Sequence, residues 1–294
     1  MANSIALAKV YTTMLDEVYK QVSLTSVLDG AADLMREGMN ANEIVVPKLS
    51  MDGLANYSRN GGYVDGDVTL TWETVKCNFD RGRMFEVDEL DNMETGGVAF
   101  GRLAGEFVRT KVVPELDAFR FATYASTTGI SAATPAALTT GANVVTALRD
   151  CTNKMDEDEV PYEGRILFIT PTLAGLVDDL DTTKSRAVLA RYSSIVLVPQ
   201  SRFYTAITQN DGSTEGQTAG GYVKDATNGK NINFMAVHPS AVIQFNKLVA
   251  PKIISPEVNQ KSDAWKYGYR LVSLADVYEN KLAGIYLHAA PAST

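Results

Sequence analysis

The feature that most constrains this chain is the stretch from Tyr57 to Trp72, YSRNGGYVDGDVTLTW. Its glycines predict a turn, and the apolar–polar alternation from Val68 to about Phe79 predicts a return strand. Residues 43 to 50 (EIVVPKLS) predict the partner strand, at a sheet edge because Pro47 cannot donate a backbone hydrogen bond. A two-stranded hairpin is marginal in water, so its apolar face needs a further surface. Either the face folds back onto its own domain, or the hairpin projects and clasps a neighbouring subunit.

The segment before the hairpin has the same need. Apolar side chains recur at three- and four-residue spacing between residues 4 and 22, and a second short set spans residues 24 to 34. This pattern predicts an amphipathic arm that lies on another surface. No basic leader precedes the arm, and the sequence has no run of about 18 apolar residues, so neither a signal peptide nor a membrane span is predicted.

A long helix is predicted in the middle of the sequence. A short strand at Arg83–Val87 and an acidic turn at Asp88–Asp91 precede it, and Thr95 can cap its N-terminus. The apolar spacing then continues from about residue 96 to 126.

Three glycines and one proline within this helix predict local features of its packing and shape. Gly97, Gly101 and Gly105 fall every four residues, so they share one face and predict the close approach of another backbone. A dinucleotide-binding loop is excluded because GGVAFG lacks the GxGxxG spacing. Pro114 predicts a kink, since it removes a backbone hydrogen bond.

The second half changes character after a linker of small residues at 127–142. The pattern predicts, in order, a helix at about 142–156, a buried strand at Ile166–Ile169, a helix at about 172–181, a strand at Ser194–Pro199 and a flexible surface loop at 209–230. The last third is rich in strands that would return to the long helix. Its end predicts a hairpin with a turn at Glu279–Lys281.

Candidate catalytic and ligand sites are few. His238 and His288 lie in strand-like surroundings and are predicted to be packed or hydrogen-bonded, and Cys77 and Cys151 form no CxxC pair. The acidic runs, at 156–159 and 178–181, lack a metal-binding spacing and are predicted to be solvated helix ends. The net charge of −8 argues against a protein that grips nucleic acid. No catalytic residue, cofactor or metal is predicted.

The order of these elements, with the motifs DRG at 80–82, VPELD at 113–117, VP at 160–161 and GR at 164–165, resembles the major capsid proteins of tailed bacteriophages. The resemblance implies an α+β fold of the Hong Kong 97 type. Its expected parts are an N-terminal arm (1–43), an extended β-hairpin loop (44–80), a peripheral lobe with a long spine helix (81–141), an inserted α/β axial lobe (142–231) and the closing sheet of the peripheral lobe (232–294).

The resemblance also implies a function. The subunit would self-assemble into hexamers and pentamers of an icosahedral phage head, enclosing double-stranded DNA without sequence-specific binding. It would be a non-enzymatic virion protein, assembled in the host bacterial cytoplasm, with portal, decoration and possibly separate scaffolding proteins as partners and no membrane contact.

The apolar face of the hairpin would then pack against a neighbouring subunit. The expected assembly residues are Tyr57, Arg59, Tyr63, Trp72, Arg81 and Arg83, with Pro114 at the kink of the spine helix. Some relatives weld subunits through a lysine on this loop, but residues 55–67 contain none, so no such cross-link is expected. Two alternatives stay open: an encapsulin-type nanocompartment shell, and a hydrolase with its site between the lobes.

Overall fold

A computed structural model gives the structure of residues 23–29, 36–37, 43–94, 102–180 and 182–292. The α-helices are α1 (Glu89–Glu94), α2 (Leu103–Phe107), α3 (Val113–Ser126), α4 (Gly141–Glu157), α5 (Pro171–Asp178) and α6 (Thr183–Leu189). The strands are β1 (Arg36–Glu37), β2 (Glu43–Met51), β3 (Val68–Lys76), β4 (Phe79–Asp88), β5 (Ser131–Ala132), β6 (Ile166–Ile169), β7 (Ser194–Leu197), β8 (Ile207–Gln209), β9 (Tyr222–Lys224), β10 (Ile232–Val237), β11 (Val242–Ile254), β12 (Ala264–Val277) and β13 (Ile285–Ala289).

The predicted hairpin is confirmed. Strands β2 and β3 pair antiparallel along their whole length, and short β1 extends the sheet in the order β1-β2-β3. The return strand ends at Lys76 rather than Phe79, because Phe79 is buried at the start of β4 in a different sheet. The amphipathic arm predicted at residues 4–22 lies outside the described residues.

The closing sheet is antiparallel, in the order β11-β12-β4. The strand predicted at Arg83–Val87 is longer, since β4 pairs with β12 from Phe79 to Asp88. The prediction of an acidic turn at Asp88–Asp91 is wrong: α1 begins there, and the Asp88 carboxylate accepts a hydrogen bond from the backbone N–H of Leu90 (2.9 Å), as a helix-capping side chain does.

The spine helix is described from Leu103 to Ser126. It comprises α2, a π turn at Val108–Val112 and α3, with Pro114 at the second position of α3. The wider π turn lies next to the proline, whose missing N–H cannot take part in the regular helical ladder. The bend angle at Pro114 stays a prediction. No described residue lies within 4 Å of a Cβ built on Gly105, so the predicted close backbone is not found there; Thr95, Gly97 and Gly101 lie outside the described residues.

The inserted segment contributes to a five-stranded sheet in the order β5-β13-β10-β6-β7. Strand β6 is buried along its length and runs parallel to β7 but antiparallel to β10. The sequence pattern does not predict helix α6. The loop predicted at 209–230 begins at the end of β8 and includes β9, which pairs back with β8 in a short antiparallel ladder.

The prediction of a terminal hairpin with its turn at Glu279–Lys281 is wrong. Strand β12 pairs with β11 and β4, whereas β13 pairs with β10 and β5 in the other sheet. A 3-10 segment at Glu279–Gly284 carries the chain across. Strand β13 is buried throughout, which suits a strand inside a covered sheet. Strands β10 and β13 therefore join the sheet of the inserted segment rather than the closing sheet, although the expected lobe ranges themselves stay an interpretation.

The spine helix packs between the two sheets. Phe121 on α3 meets Phe168 of β6 and Phe203 edge-on, with ring centroids 5.1 and 4.9 Å apart. On the closing-sheet side, Phe119 meets Phe79 of β4 at 5.0 Å. Among the described residues, no helix is both long and apolar enough to cross a membrane. The fold therefore fixes one body, from which the β2–β3 hairpin extends.

Candidate assembly surface

The hairpin has one apolar face. Leu49 of β2 lies opposite Leu70 of β3. Because residues two apart along a strand share a face, Met51, Val68 and Trp72 lie on the same face as this pair. Five side chains form this face, each exposing between 50% and 69% of its surface: Leu49, Met51, Val68, Leu70 and Trp72. We name these five residues the apolar hairpin face.

The opposite face of the hairpin meets the body of the same chain. Val75 points to this side, and it is buried against Ile243 of β11 and Leu274 of β12. Lys48 lies on the same side, farther out, and forms an ion pair with Glu279. Since these contacts turn one face toward the body, the apolar hairpin face points away from it. In the part of the chain that the structure describes, this favours the projecting arrangement over folding back.

The hairpin tip carries further exposed side chains. The rings of Tyr57 and Tyr63 pack at a centroid distance of 4.9 Å, across a tight turn closed by hydrogen bonds between Ser58 and Gly62. Gly62 has a φ of 78°, which a glycine adopts without strain. Arg59 is exposed at this turn. Four of the predicted assembly residues, Tyr57, Arg59, Tyr63 and Trp72, therefore lie on one projecting element.

The other two predicted residues lie elsewhere. Arg81 and Arg83 are on β4, on the side that faces the spine helix. Arg81 donates from Nε to Glu115 Oε1 (2.8 Å) and from Nη2 to the carbonyl of Asn210 (2.7 Å). Arg83 donates from Nη2 to the carbonyl of Thr218 (3.0 Å). Both arginines thus tie the β8–β9 loop to β4 within the subunit, and burial raises the pKa of the Glu115 carboxyl against the opposing effect of Arg81.

The VPELD motif continues into a buried polar network that the sequence did not reveal. Asp117 accepts hydrogen bonds from Ser23 Oγ (2.9 Å), the backbone N–H of Leu24 (3.0 Å) and Thr25 Oγ1 (2.7 Å), and from Arg202 Nη1 (3.0 Å). Arg120, one turn on, donates to Thr25 Oγ1 (3.0 Å). The spine helix therefore anchors residues 23–29, the segment that follows the predicted arm.

The DRG motif also has a structural reason. Asp80 forms a two-point ion pair with Arg270 on the neighbouring strand (2.8 and 2.6 Å), and this hydrogen bonding lowers the pKa of the carboxyl. A Cβ at Gly82 would lie 2.8 Å from the carbonyl oxygen of Tyr269, so only glycine fits. In the GR motif, Arg165 is buried and donates to the carbonyls of Pro161 (3.0 Å) and Val160 (2.6 Å).

A cavity of about 1130 Å³ lies between β4, the spine helix and the β8–β9 loop, lined among others by Phe85, Phe107 and Tyr269. Neither histidine lines it.

The predicted packing of both histidines is confirmed. His238 contacts the carbonyl of Glu163 (Nε2, 3.0 Å), and His288 stacks on Phe234 and contacts Asn233. Among the described residues, no group of three or more His, Cys, Asp or Glu side chains could hold a metal ion.

No protein-family model and no curated protein matches this sequence. Solved structures do match over nearly the whole chain. The similarity to a chain of Mycobacterium phage Che8 covers 98% of both chains, with a TM-score of 0.65 at 14% identity. The asymmetric unit of the bacteriophage PhiM1 mature capsid matches 98% of this chain and 93% of that chain, with a TM-score of 0.67 at 10% identity. The chain has the fold of a phage capsid protein.

The capsid fold confirms the resemblance that the sequence motifs indicated. A virus-like particle from Pyrococcus furiosus also matches, over 90% of this chain and 97% of that chain, with a TM-score of 0.51 at 13% identity. The mixed composition of helices and strands in this chain thus matches phage capsid folds.

Proposed function

We propose that this chain is the structural subunit of an icosahedral phage head, assembling into hexamers and pentamers that enclose double-stranded DNA. The observation that carries the proposal is the apolar hairpin face, which points away from its own body on a chain with a capsid fold. Burying apolar surface drives association, and a second copy of the chain is the partner that a shell provides.

The contacts of this shell would be made by the projecting hairpin. Trp72 on the apolar hairpin face and Tyr57, Arg59 and Tyr63 at the tip belong to residue types enriched at interface hot spots. Arg81 and Arg83 support assembly from inside the subunit, by holding the β8–β9 loop against β4. The inserted lobe, expected at 142–231, would surround the centre of each hexamer or pentamer.

The acidic charge fits an inner wall that DNA slides past. With a net charge of −8, the subunit lacks the excess of Lys and Arg that grips phosphates. Tight binding of isolated subunits to duplex DNA at physiological salt would contradict this part of the proposal. Portal, decoration and separate scaffolding proteins would be further partners, and the shell would assemble in the bacterial cytoplasm.

A nanocompartment shell of the encapsulin type is the second candidate. The similarity to the Pyrococcus furiosus virus-like particle supports this alternative. The content of particles purified from the native source separates the two: nuclease-protected DNA supports the phage head, and a packaged protein cargo supports the compartment.

The test of the shell function is negative-stain electron microscopy of the purified chain, alone and with any candidate scaffold encoded beside it. We expect closed particles or rings of five and six subunits. A monomer under every condition would overturn the proposal.

A further inference from the structure

The hairpin touches its own body at two places along one face. At the base, Val75 is buried against Ile243 and Leu274. Farther out, Lys48 forms the ion pair with Glu279, in the 3-10 segment that links β12 to β13. We name the buried contact of Val75 the pivot of the hairpin and the Lys48–Glu279 ion pair its brace.

The brace and the pivot lie well apart along the hairpin. Val75 lies opposite Ile44, and Lys48 lies opposite Thr71, four residues along the ladder. At about 3.3 Å per residue the brace acts about 13 Å from the pivot. The strands continue past it to Met51 and Val68, and then to the tip. A small rotation at the pivot therefore moves the tip by a larger distance.

We propose that the Lys48–Glu279 ion pair is a brace that sets the angle of the hairpin and turns its apolar face toward a second copy of this chain. The naming of a second copy rests on the proposed shell function; the brace itself does not. The second copy meets the hairpin on the side away from Lys48, because Val75 and Lys48 on the other side contact the chain's own body.

An exposed ion pair is weak, so it would bias the angle of the hairpin without fixing it. Lys48 and Glu279 expose 35% and 58% of their side chains, so water screens their attraction. Exposed pairs of this kind shift an equilibrium at most about fivefold. The hairpin would thus be held at one angle when free, yet could yield to contacts in differently shaped rings. Added salt would weaken the brace, since screening acts on exposed charges.

Pulsed electron–electron double resonance, which measures the distance between two spin labels, tests the brace in the full chain. One label replaces Tyr63 at the tip and one replaces Arg149 on α4, both exposed, in a background of Cys77→Ser and Cys151→Ala. Labelled chain is diluted about twentyfold into unlabelled chain, so that only distances within one subunit are read. Variant Glu279→Gln removes the charge, and Lys48→Glu with Glu279→Lys reverses the pair. Glu257→Gln, on an exposed body residue, is the matched control.

We expect one narrow distance in the parent and the control, a broader or shifted distribution in Glu279→Gln, and recovery of the narrow distance in the reversed pair. An unchanged distribution in Glu279→Gln would overturn the brace. So would a reversed pair that stays broad, because the effect would then not come from the attraction of the two charges.

Electron microscopy of the same samples keeps the two proposals apart. If the parent chain forms no particles, the shell function fails while the distances still decide the brace. If the parent forms particles and the distances are insensitive to Glu279, the brace fails and the shell function stands.

Discussion

At the scale of single residues, the most informative side chain is Asp117. It is fully buried, yet it receives hydrogen bonds from three residues of the N-terminal segment and from Arg202. The sequence flagged the motif that contains it but not its role, because its partners lie 85 to 94 positions away. Periodicity and local motifs carry no information about such distant pairs.

Replacing Asp117 with Asn should destabilise the protein. The change removes the negative charge that pairs with the buried guanidinium of Arg202, and breaking a buried pair from one side costs about 3–5 kcal/mol. Urea unfolding measures the loss, and hydrogen exchange at Leu24 and Thr25 should accelerate. Asp150→Asn, on the exposed side of α4, is the control and should change stability by less than about 0.5 kcal/mol. Equal stability of the two variants would refute the anchoring role.

Two glycines should respond oppositely to alanine. At Gly82 the new Cβ would press on the Tyr269 carbonyl, and overpacking costs about 1–3 kcal/mol. At Gly105 the Cβ meets no described residue within 4 Å, so the higher helix propensity of alanine should stabilise by up to about 1 kcal/mol. Thermal unfolding of both variants checks the signs. A stabilised Gly82→Ala variant would contradict the close strand contact.

His288 should make stability depend on pH. Burial lowers its pKa in the folded state, against the smaller opposing effect of a backbone hydrogen bond. The unfolded chain therefore binds the proton more readily, so stability should fall as the pH drops below the ordinary histidine value of about 6.5. Urea unfolding at pH 7.5 and pH 5.5 measures the difference, which His288→Gln should reduce. An undiminished difference in that variant would assign the effect to other groups.

At the scale of elements, the sequence predicts best what is local. Alternation identified the strands and polar face of the hairpin, and the continuous apolar run identified β6. The hairpin assigned to β12 and β13 failed because two adjacent strands gave no sign that their hydrogen-bonding partners lie in different sheets. The turn expected at Asp88–Asp91 is instead the start of α1, where the Asp88 carboxylate accepts a hydrogen bond from the backbone N–H of Leu90.

The apolar hairpin face should matter for association but not for folding. In Leu70→Ser, an exposed apolar side chain is lost, so the free energy of unfolding of the unassembled subunit should change by less than about 0.5 kcal/mol. Particle formation, followed by light scattering, should fall sharply. Thr71→Ser, on the opposite face, should assemble like the parent. Normal assembly of Leu70→Ser would remove this face from the proposed contact.

At the scale of the whole molecule, similarity to solved phage structures spans nearly the whole chain, although identity is 14% for the phage Che8 chain and 10% for the PhiM1 capsid. A fold can persist at such low identity because patterning and packing volume, rather than particular residues, specify it. In this chain, the motif residues with the strictest local demands are Gly82, which lies against a carbonyl, and Asp117, whose carboxylate is buried.

A shell built from this chain should hold together without covalent links between subunits. Residues 55–67 contain no lysine, and Lys48 is engaged with Glu279 down the strand. Assembled particles boiled in detergent should run as a single band near 31.8 kDa on a denaturing gel. A ladder of multiples would contradict this expectation.

The order of the five-stranded sheet also has a consequence in time. Strand β13 sits between β5 and β10, yet it is the last of the five to leave the ribosome. Until it emerges, the flanks of β5 and β10 stay unpaired and the core around Phe234 and Tyr286 is incomplete. The body of the subunit is therefore completed only when its last strand has been synthesised, so a chain still on the ribosome is not yet ready to assemble.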